Sequence, residues 1–218
     1  MTPRQYIPTD RQRAVDAGRE RILVAAREVL DLDDVRAFSL DAVAKRAGVT
    51  RMTVYNQFGS KAGLLAELFD LLMERSAFRD APAVFEQEDT EVAFDEFVSM
   101  LGGFYTDNRA VLTGLSAAAG ADPDLDEAMQ SRHGRRRHAI ETLVQRLGKE
   151  VKPAVRAGDL VNTLDVLLSF GTFAGIAGPG RAPSDAVPIM RQLVRATVGL
   201  GQRAPAGRRR PAKRGHRP

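Results

Sequence analysis

Residues 50–61 read Thr-Arg-Met-Thr-Val-Tyr-Asn-Gln-Phe-Gly-Ser-Lys, and they carry side chains suited to reading the edges of base pairs. Arginine offers two parallel N–H groups to guanine, asparagine pairs by two points with adenine, and methionine can rest on a thymine methyl. Arg51, Asn56 and Met52 supply those three groups. Thr53 and Tyr55 bring hydroxyls suited to phosphate oxygens, which fix register without reading sequence. On a helix, Val54 and Phe58 lie four apart and share one underside. Arg51, Met52, Tyr55 and Asn56 are then left on the outer side, with Thr53 and Gln57 flanking. Lys61 follows Ser60 at the start of another helix, where free amides and the helix dipole attract an anion.

Two short helices and a tight turn are needed to present that surface. Ser39 is placed to cap the first, with Phe38 before it and Val43 four residues inside, the spacing of a hydrophobic staple. Thr50 repeats the arrangement with Val49 and Val54. Gly48 between them suits a sharp turn, because glycine takes a left-handed backbone without steric cost. The pattern predicts a helix-turn-helix, whose second helix enters the major groove of DNA. Ser39, Thr50, Arg51, Met52, Thr53, Tyr55, Asn56, Gln57 and Lys61 form the set expected to face DNA. A plain helical corner with solvated faces is the alternative. The agreement of two staples, a glycine turn and Lys61 weighs against it.

Gly48-Val49-Thr50, Thr53-Val54-Tyr55, Phe58, Ser60-Lys61 and Leu64-Leu65 also resemble the signature of the tetracycline-repressor (TetR) family, over about residues 19–75. The resemblance implies a dimeric bacterial transcription factor that leaves DNA when a small molecule binds its C-terminal domain. Carried over by position, Arg51, Met52 and Asn56 would face bases, and Thr53, Tyr55 and Lys61 phosphate. Asn56 and Gln57 replace the aromatic or histidine residues often found there, so no operator is borrowed from a relative. Asp41 stands where a polar or basic DNA-facing side chain is expected, and it either caps its helix or repels phosphate.

Catalytic chemistry finds little support. The chain has no Cys, which excludes disulfides, thiolate metal sites and Cys nucleophiles. His133 and His138 are five apart with three arginines between them, which reads as a solvated basic helix face rather than a metal site. Asp31, Asp33 and Asp34 lack the Gly and terminal Glu of a calcium loop. No phosphate-binding Gly loop, nucleophile elbow or paired catalytic carboxylates appear. No metal, no cofactor and no enzymatic activity are expected.

Net charge is +4 over 218 residues, and the last stretch, Arg203 to Pro218, alone contains seven cations and no acid. The remainder is therefore mildly acidic. The tail is expected to be disordered and either attracts DNA without regard to sequence or merely solubilises. An arm over residues 1–18, with Arg4, Arg11 and Arg13, poses the same question. The start shows no basic segment leading into an apolar stretch, and no apolar run approaches a membrane span, so a cytoplasmic location without membrane partners is expected.

The expected fold class is all-α. A three-helix helix-turn-helix domain (19–65) is followed by a helical bundle for ligand binding and dimerisation (66–202), and then by the basic tail (203–218). Helical segments are expected at 19–31, 60–76, 91–107, 108–120, 124–149, 159–177 and 184–201, separated by Pro and Gly punctuation. Phe97, Met100, Phe104, Met129, Phe170 and Phe173 are the candidate lining of a ligand pocket. Few buried charges are available to orient its contents, so a small, largely apolar effector is expected. The last two helices are apolar over more surface than one core can cover, and Gly171, Gly175 and Gly199 allow close approach, so a two-fold four-helix interface is expected. The rival readings are a constitutive DNA-binding protein without ligand, and a helical small-molecule carrier.

Overall fold

The computed structural model describes residues 10–31, 38–120, 122–150 and 155–199. Among them the regular structure is helical throughout. The basic tail, Arg4, Asp33, Asp34 and Leu200 lie outside the described residues.

The head is built on capped short helices. α1 spans Asp10–Asp31, α2 Leu40–Ala47, α3 Arg51–Phe58 and α4 Lys61–Glu74. Ser39 accepts a hydrogen bond from Ala42 N at 3.1 Å, Thr50 from Thr53 N at 3.1 Å, and Ser60 from Gly63 N at 2.9 Å. Each oxygen satisfies an amide that the first helical turn leaves open. Gly48 closes α2 at φ 68°, the left-handed region that an L side chain enters only with strain. Phe38, Val43, Val54 and Phe58 are buried together with Ile22, Ala25, Ala26 and Leu30 of α1. Gly63 lies hard against α3, since a Cβ there would stand 2.1 Å from the Phe58 carbonyl oxygen.

α1 is longer than the sequence suggests. It begins at Asp10, so residues 10–18, read above as arm, are helical. Gly18 lowers helix propensity locally, but the helix runs through it, and Arg19 beyond it is tied down. Its guanidinium donates to the Gln57 carbonyl at 2.9 Å, pairs with Glu67 and lies 4.6 Å from the Phe58 ring centre.

The body comprises α5 (Ala81–Glu86), α6 (Thr90–Asp107), α7 (Arg109–Ala119), α8 (Pro123–Glu150), α9 (Ala157–Leu167), α10 (Phe170–Ala177) and α11 (Val187–Val198). α6 runs through its centre, burying Phe94, Phe97, Val98, Leu101, Phe104 and Tyr105. At about 25 cal/mol per Å² of apolar area, such side chains dominate the stability of the body. α4 leads out of the head and packs on α8.

The segment expected as one helix over 159–177 is two. It bends by 54° between Leu167 and Phe170. Ser169 is the reason: its hydroxyl accepts from Thr172 N at 3.2 Å and starts a new helix. The Tyr105 hydroxyl donates to the carbonyl of Leu168 at 2.9 Å, satisfying an oxygen at the break. Leu160, Leu164, Leu168 and Phe173 are all fully buried inside the chain, so much of the apolar surface expected for a partner is covered internally. Among the described residues no single helix is long and apolar enough to cross a membrane.

Candidate DNA-reading surface and effector cavity

α3 lies with Val54 and Phe58 inward, 0% and 7% exposed, and that choice dictates the rest of its surface. Met52 and Tyr55 are 63% and 53% exposed, unusual for side chains of their size. Arg51 and Asn56 are exposed beside them. Arg51 Nε stands 3.7 Å from Asp41 Oδ2, so Asp41 neither caps α2, where Ser39 does so, nor stands alone. The Thr50 and Thr53 hydroxyls are 2.9 Å apart, which orients both at the start of α3. Lys61 is half-buried with its ammonium 5.5 Å above the Phe38 ring.

Within the expected set Ser39 and Thr50 form the caps expected of them, and one member, Gln57, is placed differently. Ser39 is half-buried and engaged as a cap. Gln57 is turned toward the head itself: its Oε1 is shut away from solvent without a hydrogen-bond partner, and Gly18 of α1 is its neighbour. One turn of α3 beyond Val54, position 57 falls on the flank that α1 covers. The carbonyl of the same residue is the one held by Arg19.

Between α4 and the body lies a partly open cavity of about 700 Å³, within the range typical of small-molecule sites. Of the residues expected to line it, Phe97, Met100, Phe104, Met129 and Phe170 do so. Phe173 does not. It is fully buried and packed edge-on to Tyr105 at 5.0 Å, and it lies beside Gly102, whose open space is taken by Val187. Phe69, Phe78 and Phe85 contribute instead, from α4 and the segments that follow it.

The expectation of few buried charges is overturned. Arg132, His133 and Arg136 of α8 line the cavity, and the side chains of Arg132 and Arg136 are only 17% and 15% exposed. Their pattern was visible as a stripe: 132, 133 and 136 follow Met129 at helical spacing and lead to Ile140, which is buried. Arg132 pairs with Asp70 of α4, and Arg135 reaches the other oxygen of the same carboxylate at 2.6 Å. Arg136 pairs with Asp165 at 3.0 Å and donates to the Tyr105 hydroxyl at 3.5 Å. Burial works to neutralise the Arg136 guanidinium, but Tyr105 and Asp165 outweigh it and its pKa is raised, so it stays charged. Burial pushes the Tyr105 hydroxyl up against the opposing pull of Arg136. His133 keeps an exposed edge, yet burial and Arg136 lower its pKa, with Asp165 and Asp126 opposing, so near neutral pH its imidazole is uncharged. His138 is 83% exposed and 3.8 Å from Glu141. Among the described residues no group of His, Cys, Asp and Glu is placed to hold a metal ion.

At the far side, α10 and α11 leave an outward strip. Ile189 and Leu193 are 39% and 40% exposed, Gly171 and Gly175 are open, and Val166 at the end of α9 is 71% exposed.

Comparison with known proteins agrees with this architecture. The sequence profile described as bacterial regulatory proteins, tetR family, matches residues 22–68. The HTH-type transcriptional regulator AlkX of Mycobacterium tuberculosis is 34% identical over 110 residues, 49% of this chain and 50% of that protein. The match therefore spans half the length of that relative. SrpR of Pseudomonas putida, also an HTH-type transcriptional regulator, is 28% identical over 158 residues, 72% of this chain and 70% of SrpR. In fold, the crystal structure of NalD from Pseudomonas aeruginosa superposes with a TM-score of 0.63 at 20% identity, covering 85% of this chain and 98% of NalD. AlkX and SrpR are both described as regulators of transcription.

Proposed function

The chain belongs to the TetR family of DNA-binding transcriptional regulators, and we propose that it works as a ligand-released repressor, binding a palindromic operator as a homodimer. The observation that carries this reading is α3, where Arg51, Met52, Tyr55 and Asn56 stand exposed above a buried Val54 and Phe58. Arg51, Asn56 and Met52 read base edges, and Thr53, Tyr55 and Lys61 hold phosphates. Ser39 and Thr50 serve by fixing the helix starts, and Gln57 by packing α3 onto α1.

The partner docks on the strip of α10 and α11, where Gly171 and Gly175 admit a close neighbour and Ile189 and Leu193 bring the apolar area. Such a dimer sets two recognition helices about 34–36 Å apart, or a multiple of that spacing. Sitting across a promoter it occludes the template, which makes its action repression. The effector occupies the cavity beneath α4 and releases DNA only insofar as it favours a conformation whose heads no longer match the half-sites.

DNA selected from a random pool by the purified protein tests the reading. The expected product is an inverted repeat whose half-site centres are separated by whole helical turns. Unrepeated or sequence-random products would reject it.

A further inference from the structure

The effector cavity is lined unevenly. Most of its wall is aromatic or aliphatic, from Phe69, Phe97, Met100 and Phe104 among others, while one turn and a half of α8 lines it with Arg132, His133 and Arg136. Two acids also belong to the lining, Glu74 and Asp126, but both are exposed to solvent. Charges in water are heavily screened, and charges enclosed by protein are not. The enclosed ones here are Arg132 and Arg136.

Every nitrogen of Arg136 has a partner, Nε and Nη2 on Asp165 and Nη1 on the Tyr105 hydroxyl, whereas Arg132, with Nη1 on the Ala128 carbonyl and Nη2 on Asp70, keeps one donor unused. Asp70 alone answers both Arg132 and Arg135. Asp165 answers Arg136 and stands 3.9 Å from Arg137, which also meets Glu141 at 3.3 Å. Four arginines thus share three carboxylates along this part of α8. The Nε of Arg132 is buried and makes no hydrogen bond. A buried charged donor without an acceptor is costly, and an incoming oxyanion relieves it.

Resting on the reading of this chain as a ligand-responsive regulator, we propose that its effector is an amphiphile with an apolar body and a single carboxylate head, the body lying among the phenylalanines and the head taken by the Arg132–Arg136 wall of α8. The head competes with Asp70 for Arg132. Because Asp70 belongs to α4, the helix that leaves the DNA-binding head, occupancy loosens one tie between α8 and that helix. Ligand class and release of DNA then follow from the same ion pair.

Isothermal titration of the full-length protein with dodecanoate, dodecanol and dodecylammonium, each below its micelle concentration, tests the assignment. Dodecanoate should bind at least tenfold more tightly than dodecanol, with dodecylammonium weakest. It should also weaken binding to the selected operator in fluorescence anisotropy. Arg132→Met leaves Asp70 its partner Arg135 and should erase the acid-over-alcohol preference while retaining the alcohol. Arg136→Lys keeps a cation beside Asp165 and guards against a folding defect; it should reduce the preference several-fold. Dodecanoate and dodecanol binding within twofold of each other would overturn the carboxylate head, as would an undiminished preference in Arg132→Met. Failure of dodecanoate to bind overturns it too. If dodecanol alone binds and displaces DNA, the ligand-released reading stands and only the head group is wrong. If no compound of a neutral apolar library stabilises the protein to heat either, the ligand-released reading fails with it.

Discussion

Replacing Arg51 with Ala asks directly whether α3 reads bases. In the unbound protein Arg51 Nε is 3.7 Å from Asp41 Oδ2, and the two side chains are 67% and 68% exposed. Two unit charges at that distance in water attract by about 1.1 kcal/mol. Salt and side-chain entropy bring an exposed pair down to roughly 0.2–1 kcal/mol. A two-point contact with guanine discriminates by about 1–3 kcal/mol, so the base wins Arg51 from Asp41. Arg51→Ala should therefore weaken binding to the selected operator by about 5- to 150-fold, while a scrambled duplex loses no more than about fivefold. Asp41→Asn should tighten both duplexes by up to about fivefold, because it removes a competitor for Arg51 and a like charge near phosphate. In the Arg51→Ala background only the second part of that gain should remain. Fluorescence anisotropy on both duplexes at one ionic strength measures all four proteins. Equal losses on operator and scrambled DNA would refute base reading by Arg51, and weaker binding by Asp41→Asn would refute the competition.

Lys61→Ala should weaken operator and scrambled DNA alike and lower the slope of log affinity against log salt by about 1; an unchanged slope would remove Lys61 from the phosphate contacts. Gly63→Ala forces a Cβ to 2.1 Å from the Phe58 carbonyl oxygen and should cost about 1–3 kcal/mol or more in urea unfolding. Gly48→Ala, in open space but at φ 68°, should cost only about 1–2 kcal/mol. The folded pKa of His133 is held below its ordinary value, so the unfolded chain takes up a proton there first as pH falls. Its contribution is harmless well above pH 6.5 and turns into lost stability as pH drops from there through the folded pKa. His133→Gln should accordingly flatten the dependence of the unfolding midpoint between pH 7.5 and 5.5, and an unaltered dependence would refute the assignment. Leu193→Glu puts a charge on the strip of α11 and should halve the sedimenting mass; a mass equal to that of the wild type would place the partner elsewhere.

The head was legible in the chain because its signals are local. Ser39, Thr50 and Ser60 cap helices that begin one residue later, and Gly48 marks the left-handed turn between α2 and α3. The body was legible in outline, since Pro and Gly separate most of its helices. What escaped is what depends on distant partners. Ser169 sits between Val166-Leu167-Leu168 and Phe170, where a single hydroxyl looks like an interior residue, and only its bond to Thr172 N reveals a new helix. Phe173 reads as a pocket aromatic until Tyr105, far away in sequence, is seen to pack edge-on against it. The arginines of α8 read as a solvated face because their acids, Asp70 and Asp165, come from other helices. Gln57 was misplaced for a similar reason, since only the length of α1 covers its flank.

The contact between Gly63 and the Phe58 carbonyl has a mechanical corollary. With no side chain between them, α3 and the start of α4 are in backbone contact, so a displacement of the stalk would be passed directly to α3. α4 has 14 residues, hence a length of about 21 Å. A tilt of roughly 5° about its distal end would swing the DNA-facing end by about 2 Å over that length. In a symmetric pair both stalks would swing, and the separation of the two readers would change by up to twice that amount. Backbone contact at one glycine would thus convert a small displacement in the body into a misfit on the double helix, as the proposed release requires.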